Sequence, residues 1–306
     1  MNMNRSARQA LADDGRVPGG SYLARRQEAV RKFWRRLGGR PEITGKSVLD
    51  LGCGEGALCF DLAQAGAGRV LGIDLNPEQV EAATRSLTTR YAVFDDVLAF
   101  RVVDIRDLHE RFDYVVSADA FEHILELESV LAHVARLLRP GGSLLVGFGP
   151  LYNSPYGGHR RMHMPVPWGH RMLPEPWLLR WVNRYRQAPV ASIEELGLNK
   201  LALKDFLRLF DDSGLEIVFL RTNHGERLMS RVFATLARVP LLRESFSHDI
   251  HCILRKPGGA HAGSGCPPGA RDARTDSGLH RGGGRSDSRL QAPGASAQKI
   301  VDRRPT

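Results

Sequence analysis

The stretch Val48-Leu49-Asp50-Leu51-Gly52-Cys53-Gly54-Glu55-Gly56-Ala57 is an apolar run that carries an acid and then meets three glycines at alternate positions. A short buried strand followed by such glycines lets the backbone turn sharply and approach a ligand with no Cβ in the way. A helix is expected to begin near Ala57. Gly52, Gly54 and Ala57 also satisfy the dinucleotide pattern G-x-G-x-x-G/A, so the glycines by themselves leave the ligand open. Asp50 separates the readings. Two residues before the first glycine, it would set a negative charge against a pyrophosphate, whereas a cationic ligand would gain a charge-assisted hydrogen bond. The other role open to Asp50 is to cap the next helix.

Outward from this loop, Arg69-Val70-Leu71-Gly72-Ile73-Asp74 is a second apolar run ending in an acid. It falls about 20 residues after the glycines, where a carboxylate accepts hydrogen bonds from the ribose hydroxyls of an adenosine-containing ligand. Asn76-Pro77-Glu78 starts the following helix, with Asn76 as cap and Pro77 in the first turn. A third apolar run, residues 99–103, ends in Asp104. Each of the three strands closes on a carboxylate, and Asp104 is placed to accept from an adenine amino group.

The chain continues with Phe112-Asp113-Tyr114-Val115-Val116, then Ser117-Ala118-Asp119-Ala120-Phe121-Glu122-His123, then Leu137-Leu138-Arg139-Pro140-Gly141-Gly142-Ser143-Leu144-Leu145-Val146. In this order the segments resemble the class I S-adenosylmethionine-dependent methyltransferases: a fourth strand, the Glu-His ending common in the small-molecule branch, and a helix, Pro-Gly-Gly turn and fifth strand. The resemblance is strong over residues 45–150 and looser over 200–256. It implies an α/β fold, a doubly wound Rossmann-like sheet of seven mostly parallel strands with an antiparallel last strand. It also implies S-adenosylmethionine as cofactor, whose ammonium and sulfonium charges suit Asp50. The cofactor contacts expected are Asp50, Gly52, Cys53, Gly54 and Gly56, then Asp74 and Leu75, Asp104 and Ile105, and Ser117.

The 306 residues with 42% hydrophobic content allow one enzyme domain with appendages. No run of 18 apolar residues exists to span a membrane, and residues 1–16 lack the apolar segment of a secretory signal. Four cysteines, at 53, 59, 252 and 266, show neither metal nor disulfide spacing, and a reducing cytoplasm is expected. The net charge of +9 sits mostly at the ends: residues 1–40 carry ten Arg or Lys against three acids, and residues 257–306 eight against four. Residues 22–37 have helical periodicity, with Leu23, Val30, Phe33, Trp34 and Leu37 on one face and Arg25, Arg26, Arg31, Lys32, Arg35 and Arg36 around the rest. In the resembled family a helix here commonly covers the cofactor pocket. The domains expected are a basic segment 1–44, a methyltransferase domain 45–256 with a cap at 151–200, and a disordered tail 257–306 too poor in apolar residues to fold.

The cap, inserted after the fifth strand, is where a substrate would be chosen, because ligands of open α/β sheets bind beyond the carboxyl ends of the strands. Its first half holds Tyr152, Tyr156, His159, His163, Trp168 and His170. Tyr152, Tyr156, His159, Trp168 and His170 are candidate substrate contacts, and Trp177 and Trp181, at helical spacing, are expected in the small core of a lid. His159, His163 and His170 match no standard zinc spacing and no metal is expected. General-base chemistry suits histidine better, with His123, His159 and His163 as candidates and a structural histidine as the other reading for each.

Methyl transfer is an in-line displacement that asks mainly for alignment. The resemblance therefore implies a methyltransferase acting on a small molecule, with a sugar or secondary-metabolite hydroxyl as the leading acceptor. A monomer or homodimer is expected. An RNA or protein methyltransferase and a non-catalytic cofactor-binding regulator are the alternatives. Ser117-Ala118-Asp119-Ala120 stands where amino-methylating nucleic-acid enzymes carry an Asn or Asp-Pro-Pro-Tyr/Phe motif, which disfavours DNA adenine or cytosine amino methylation, and a nucleic-acid partner is not the leading expectation.

Overall fold

Strand β1 (Ser47–Leu51) lies at the middle of a seven-stranded sheet of order β3-β2-β1-β4-β5-β7-β6. The strands are β2 (Arg69–Asp74), β3 (Leu98–Val102), β4 (Phe112–Ala118), β5 (Leu138–Phe148), β6 (Glu216–Thr222) and β7 (Ile250–Arg255). The first five are parallel and β7 runs antiparallel to both β5 and β6. The computed structural model describes residues 21–223 and 228–258. The disordered tail expected at 257–306 lies, but for its first two residues, outside the described residues.

The alternation of side chains along a strand divides the apolar residues between two cores. Leu49, Leu51, Leu71, Ile73, Leu144 and Val146 face one side, under helices α4 (Leu127–Leu137) and α7 (Leu203–Asp212). Val48, Val70, Val116 and Leu145 face the other, under α1 (Ser21–Arg36), α2 (Ala57–Gln64) and α3 (Pro77–Arg90). Helix α1 stops at Gly38-Gly39 and packs Val30, Phe33 and Trp34 against the sheet. It is fastened by Asp61 of α2, which accepts from Trp34 Nε1 at 2.8 Å and from Arg40 Nη1 at 2.9 Å. Asn76 caps α3, its side chain accepting from the amides of Glu78 and Gln79.

Two expectations change. Pro140-Gly141-Gly142, read as a turn, lies inside β5: the β4–β5 pairing jumps from Phe112↔Leu138 to Tyr114↔Ser143. The extra residues are held as a bulge by Gly141 N donating to Lys256 O and Lys256 N to Gly142 O. In the cap, the short helix α5 (Gly169–Met172) is followed by α6 (Glu175–Val182), whose buried stripe is Leu178 and Val182, packed with Met162, Ile193, Leu196 and Leu198. Trp177 stands one residue, about 100° of helix, off that stripe and is 71% exposed. Trp181, as expected, packs half-buried against that small core and meets Tyr185 edge-on at a centroid distance of 5.6 Å. No described helix is long and apolar enough to cross a membrane.

The cap leaves β5 at Gly149 and returns at Asn199, whose Nδ2 donates to the carbonyls of Phe121 and Ile124. Beneath it, Phe148 meets Phe121 and Phe206 at centroid distances of 5.5 and 4.7 Å. Phe206→Ala is expected to cost about 3–5 kcal/mol in denaturant unfolding and Trp177→Ala less than about 0.5 kcal/mol, because only the first opens a cavity.

Candidate active site

The carboxyl ends of β1 to β5 and the amino end of β7 border one cavity of about 1050 Å³. Helix α1 roofs it with Val30, Lys32, Phe33 and Arg36. Gly52, Cys53 and Gly54 line its floor, and the amides of Gly52 and Cys53 both donate to Ile73 O, pinning the loop to β2. Gly56 is left-handed at φ +81°, and a Cβ there would meet the Phe100 ring at 2.6 Å, so only glycine can end this loop and open α2.

Asp50 faces the cavity although the residue is only 1% exposed. The Cys59 thiol donates to its Oδ2 at 3.0 Å. Burial pushes its carboxyl up to about 7, with Cys59 opposing the shift and the Asp74 charge adding to it. Asp74 is held by two backbone amides, Gly54 N on Oδ2 and Asn76 N on Oδ1, each at 2.9 Å. Asp104 opens the turn after β3 and accepts from Arg106 N, Nε and Nη2; that guanidinium holds its carboxyl below the usual carboxylate range. Leu75, 68% exposed, and buried Ile105 add apolar surface to this half of the cavity. Two of the expected cofactor residues do not line the cavity. Ser117 is buried and donates its hydroxyl to Leu51 O at 2.8 Å, joining β4 to β1, and Gly56 lies beneath the loop.

The other half is built after β4. His123, in the helical turn Phe121–His123, lines the cavity and its Nδ1 lies 2.6 Å from Gly197 O. A carbonyl only accepts, so Nδ1 carries the hydrogen and Nε2 the lone pair. Burial lowers the pKa of His123 and pushes that of His159 down to about 4, the latter shift reinforced by His123 and Arg161. The two rings are 5.2 Å apart, with His159 outside the lining. Beside them Glu122 is buried; it accepts from Gly149 N, its Oε2 has no partner among the described residues, and burial pushes its carboxyl up to about 8.

The remaining cap candidates point elsewhere. His163 is exposed and stacks on Tyr185 at 4.9 Å. His170 is buried with Nε2 at 2.6 Å from Tyr152 O, and Tyr152 packs against that imidazole. Trp168 donates to Ser245 O and meets Phe246 edge-on, and Tyr156 is exposed. These aromatics hold the cap to itself and to the segment before β7. Among the described residues no three His, Cys, Asp or Glu side chains gather as a metal site.

His251 and Arg161 are among the lining residues that the sequence did not mark. His251 is buried on β7 opposite Gly147, where a Cβ would come within 2.6 Å of the His251 ring. Its Nδ1 is 3.4 Å from Asp249 Oδ1. The alternation of Ile250, Cys252 and Leu254 against His251 and Ile253 was the available signal. Arg161, from the cap, carried none beyond its charge.

A family model described as a methyltransferase domain matches residues 43–148. The ubiquinone biosynthesis O-methyltransferase of Bradyrhizobium diazoefficiens is 32% identical over 123 residues, 40% of this chain and 47% of that protein. The protein of the same name from Bartonella bacilliformis is 25% identical over 173 residues, 56% and 64% of the two chains. The chain thus spans about half to two thirds of the length of these relatives. Among solved structures, an S-adenosylmethionine dependent methyltransferase from Mesorhizobium loti superposes with a TM-score of 0.50 at 21% identity, covering 74% of this chain and 98% of that one. The [4+2]-cyclase SpnF superposes equally, at 0.50 and 18% identity over 81% and 85% of the chains, so the fold is shared beyond one reaction. Residues 43–148 thus match a methyltransferase domain, and the seven-stranded sheet built on them has the α/β fold of the S-adenosylmethionine-dependent methyltransferases it superposes on.

Proposed function

We propose that the protein transfers the methyl group of S-adenosylmethionine to a hydroxyl oxygen of a small molecule, such as a sugar or secondary metabolite. One observation carries this reading. Carboxylates stand at or just past the ends of the three strands on one side of the cavity, and an imidazole with a free Nε2 stands past the fourth. The name O-methyltransferase borne by the relatives supports oxygen as the acceptor atom.

The residues fit the cofactor by charge and shape. Asp50, a buried acid beside the glycine loop, would ionise against the ligand's ammonium group, and Asp74 would accept from the ribose hydroxyls. Asp104 would receive the adenine amino group, with Leu75 and Ile105 against the base. Gly52, Cys53 and Gly54 leave the space that the chain's approach to the ligand requires. When bound, S-adenosylmethionine supplies an electrophilic methyl on a sulfonium. His123 would take the acceptor's proton at Nε2 as the acceptor oxygen receives that methyl, the proton passing from the hydroxyl to the imidazole. Burial keeps His123 neutral and able to accept. His159 packs against its ring, and α1 and Arg161 of the cap border the space in which the acceptor would lie.

Calorimetric titration with S-adenosylmethionine, S-adenosylhomocysteine and NAD tests the reading: micromolar binding of the first two and none of NAD is expected, and silence from both sulfur ligands overturns it. Asp50→Ala and Gly54→Val should each abolish that binding, whereas His123→Ala should leave it intact and lower turnover about 10²–10⁴-fold. Normal turnover in His123→Ala would remove its role as base.

Asp50 also links binding to stability. Its folded pKa, about 7, and that of Glu122, about 8, lie above their unfolded values, so the fold favours the neutral acids. The stabilisation is complete below roughly pH 4 and lost as pH rises through the folded values. Ligand-free Asp50→Asn is expected to be more stable than the parent at pH 8.5, on the order of 2 kcal/mol in thermal or denaturant unfolding. The difference should close at pH 4.

A further inference from the structure

Charge divides the cavity in two. At the ends of β1, β2 and β3 the lining is acidic, as a cationic cofactor requires. Between the turn after β4 and the start of β7 the lining changes sign. Lys32 and Arg36 project from the last turns of α1 and Arg161 from the cap, alongside His123 and His251; the carboxylates lining the cavity after β4 are Asp119 and Glu126, and Glu126 is paired with Arg106.

Arg161 is held in place without being neutralised. Its Nη1 donates to Leu196 O at 2.5 Å and Gly197 O at 3.1 Å, both uncharged acceptors. Gly197 is left-handed at φ +73°, and a Cβ there would fall 2.6 Å from Arg161 Nη1, so this glycine makes room for the guanidinium. The positive charge is felt nearby. Arg161 helps to depress His123 and His159, and Arg36 helps to depress His248. Lys32 is offset by Glu28 at 3.6 Å. Glu122 gives no counter-charge at neutral pH, because burial keeps it protonated.

A neutral acceptor would give no counter-charge to the two guanidinium groups that line the cavity, Arg36 half-buried and Arg161 exposed. A carboxylate would meet the fork of either one with paired charge-assisted hydrogen bonds. Resting on the methyl-transfer reading, we infer that the acceptor is a hydroxylated carboxylic acid whose carboxylate is held by Arg36 and Arg161, the hydroxyl then lying toward His123.

The test uses the full chain saturated with S-adenosylhomocysteine and titrated with 3,4-dihydroxybenzoate and with its methyl ester, which has the same hydroxyls and no charge. The acid is expected to bind at least about tenfold tighter, and Arg36→Gln and Arg161→Gln each to remove about tenfold of its affinity. Affinity for S-adenosylhomocysteine should be unchanged in both variants. Equal or tighter binding of the ester, binding of neither probe, or a preference for the acid that survives both substitutions would overturn the inference. Failure of S-adenosylhomocysteine itself to bind would overturn the methyl-transfer reading and this inference with it.

Discussion

Parallel strands can be neighbours only if each connection crosses back over a face of the sheet, and this places the carboxyl ends of β1 to β5 on one edge. Everything the site contains follows from that constraint. Asp50, Asp74 and Asp104 are more than fifty residues apart from first to last, yet each stands at or just past the end of a strand and faces one cavity. Antiparallel β7 enters from the opposite direction, so its amino end, with His251, arrives at the same edge.

The site is assembled at a cost to the fold. Asp50 shares the face of β1 that carries Val48 and is buried as deeply as that apolar neighbour. The Cys59 thiol gives it one hydrogen bond, and burial leaves the acid near neutrality rather than fully charged. A buried carboxyl of this kind is a poor structural element and a good counter-charge for a cation that arrives later. Glu122, with an oxygen beneath the cap that is unpartnered among the described residues, shows the same tension on the other side of the cavity.

The cap contributes less chemistry than its composition suggests. Its tyrosines, tryptophans and three histidines are mostly engaged in holding it together: His170 on the Tyr152 carbonyl, His163 on the Tyr185 ring, Trp168 on the segment before β7. What the cap delivers to the cavity is Arg161, positioned by the Leu196 and Gly197 carbonyls, and the Gly197 carbonyl that sets the tautomer of His123.

By itself the sequence determined the strands, the glycine loop, the acids at the strand ends and the helical periodicity of residues 22–37, because all of these are local. Strand alternation, glycine spacing and helix periodicity act between residues a few positions apart, and the parallel topology then carries them to one edge. Only the tertiary structure decided which side chains meet in the acceptor half. Sorting His123 from His163 and His170, and finding His251 and Arg161, depends on contacts between segments tens of residues apart. Residue type does not encode such contacts: the same imidazole is a base beside a cavity and a brace against a buried carbonyl.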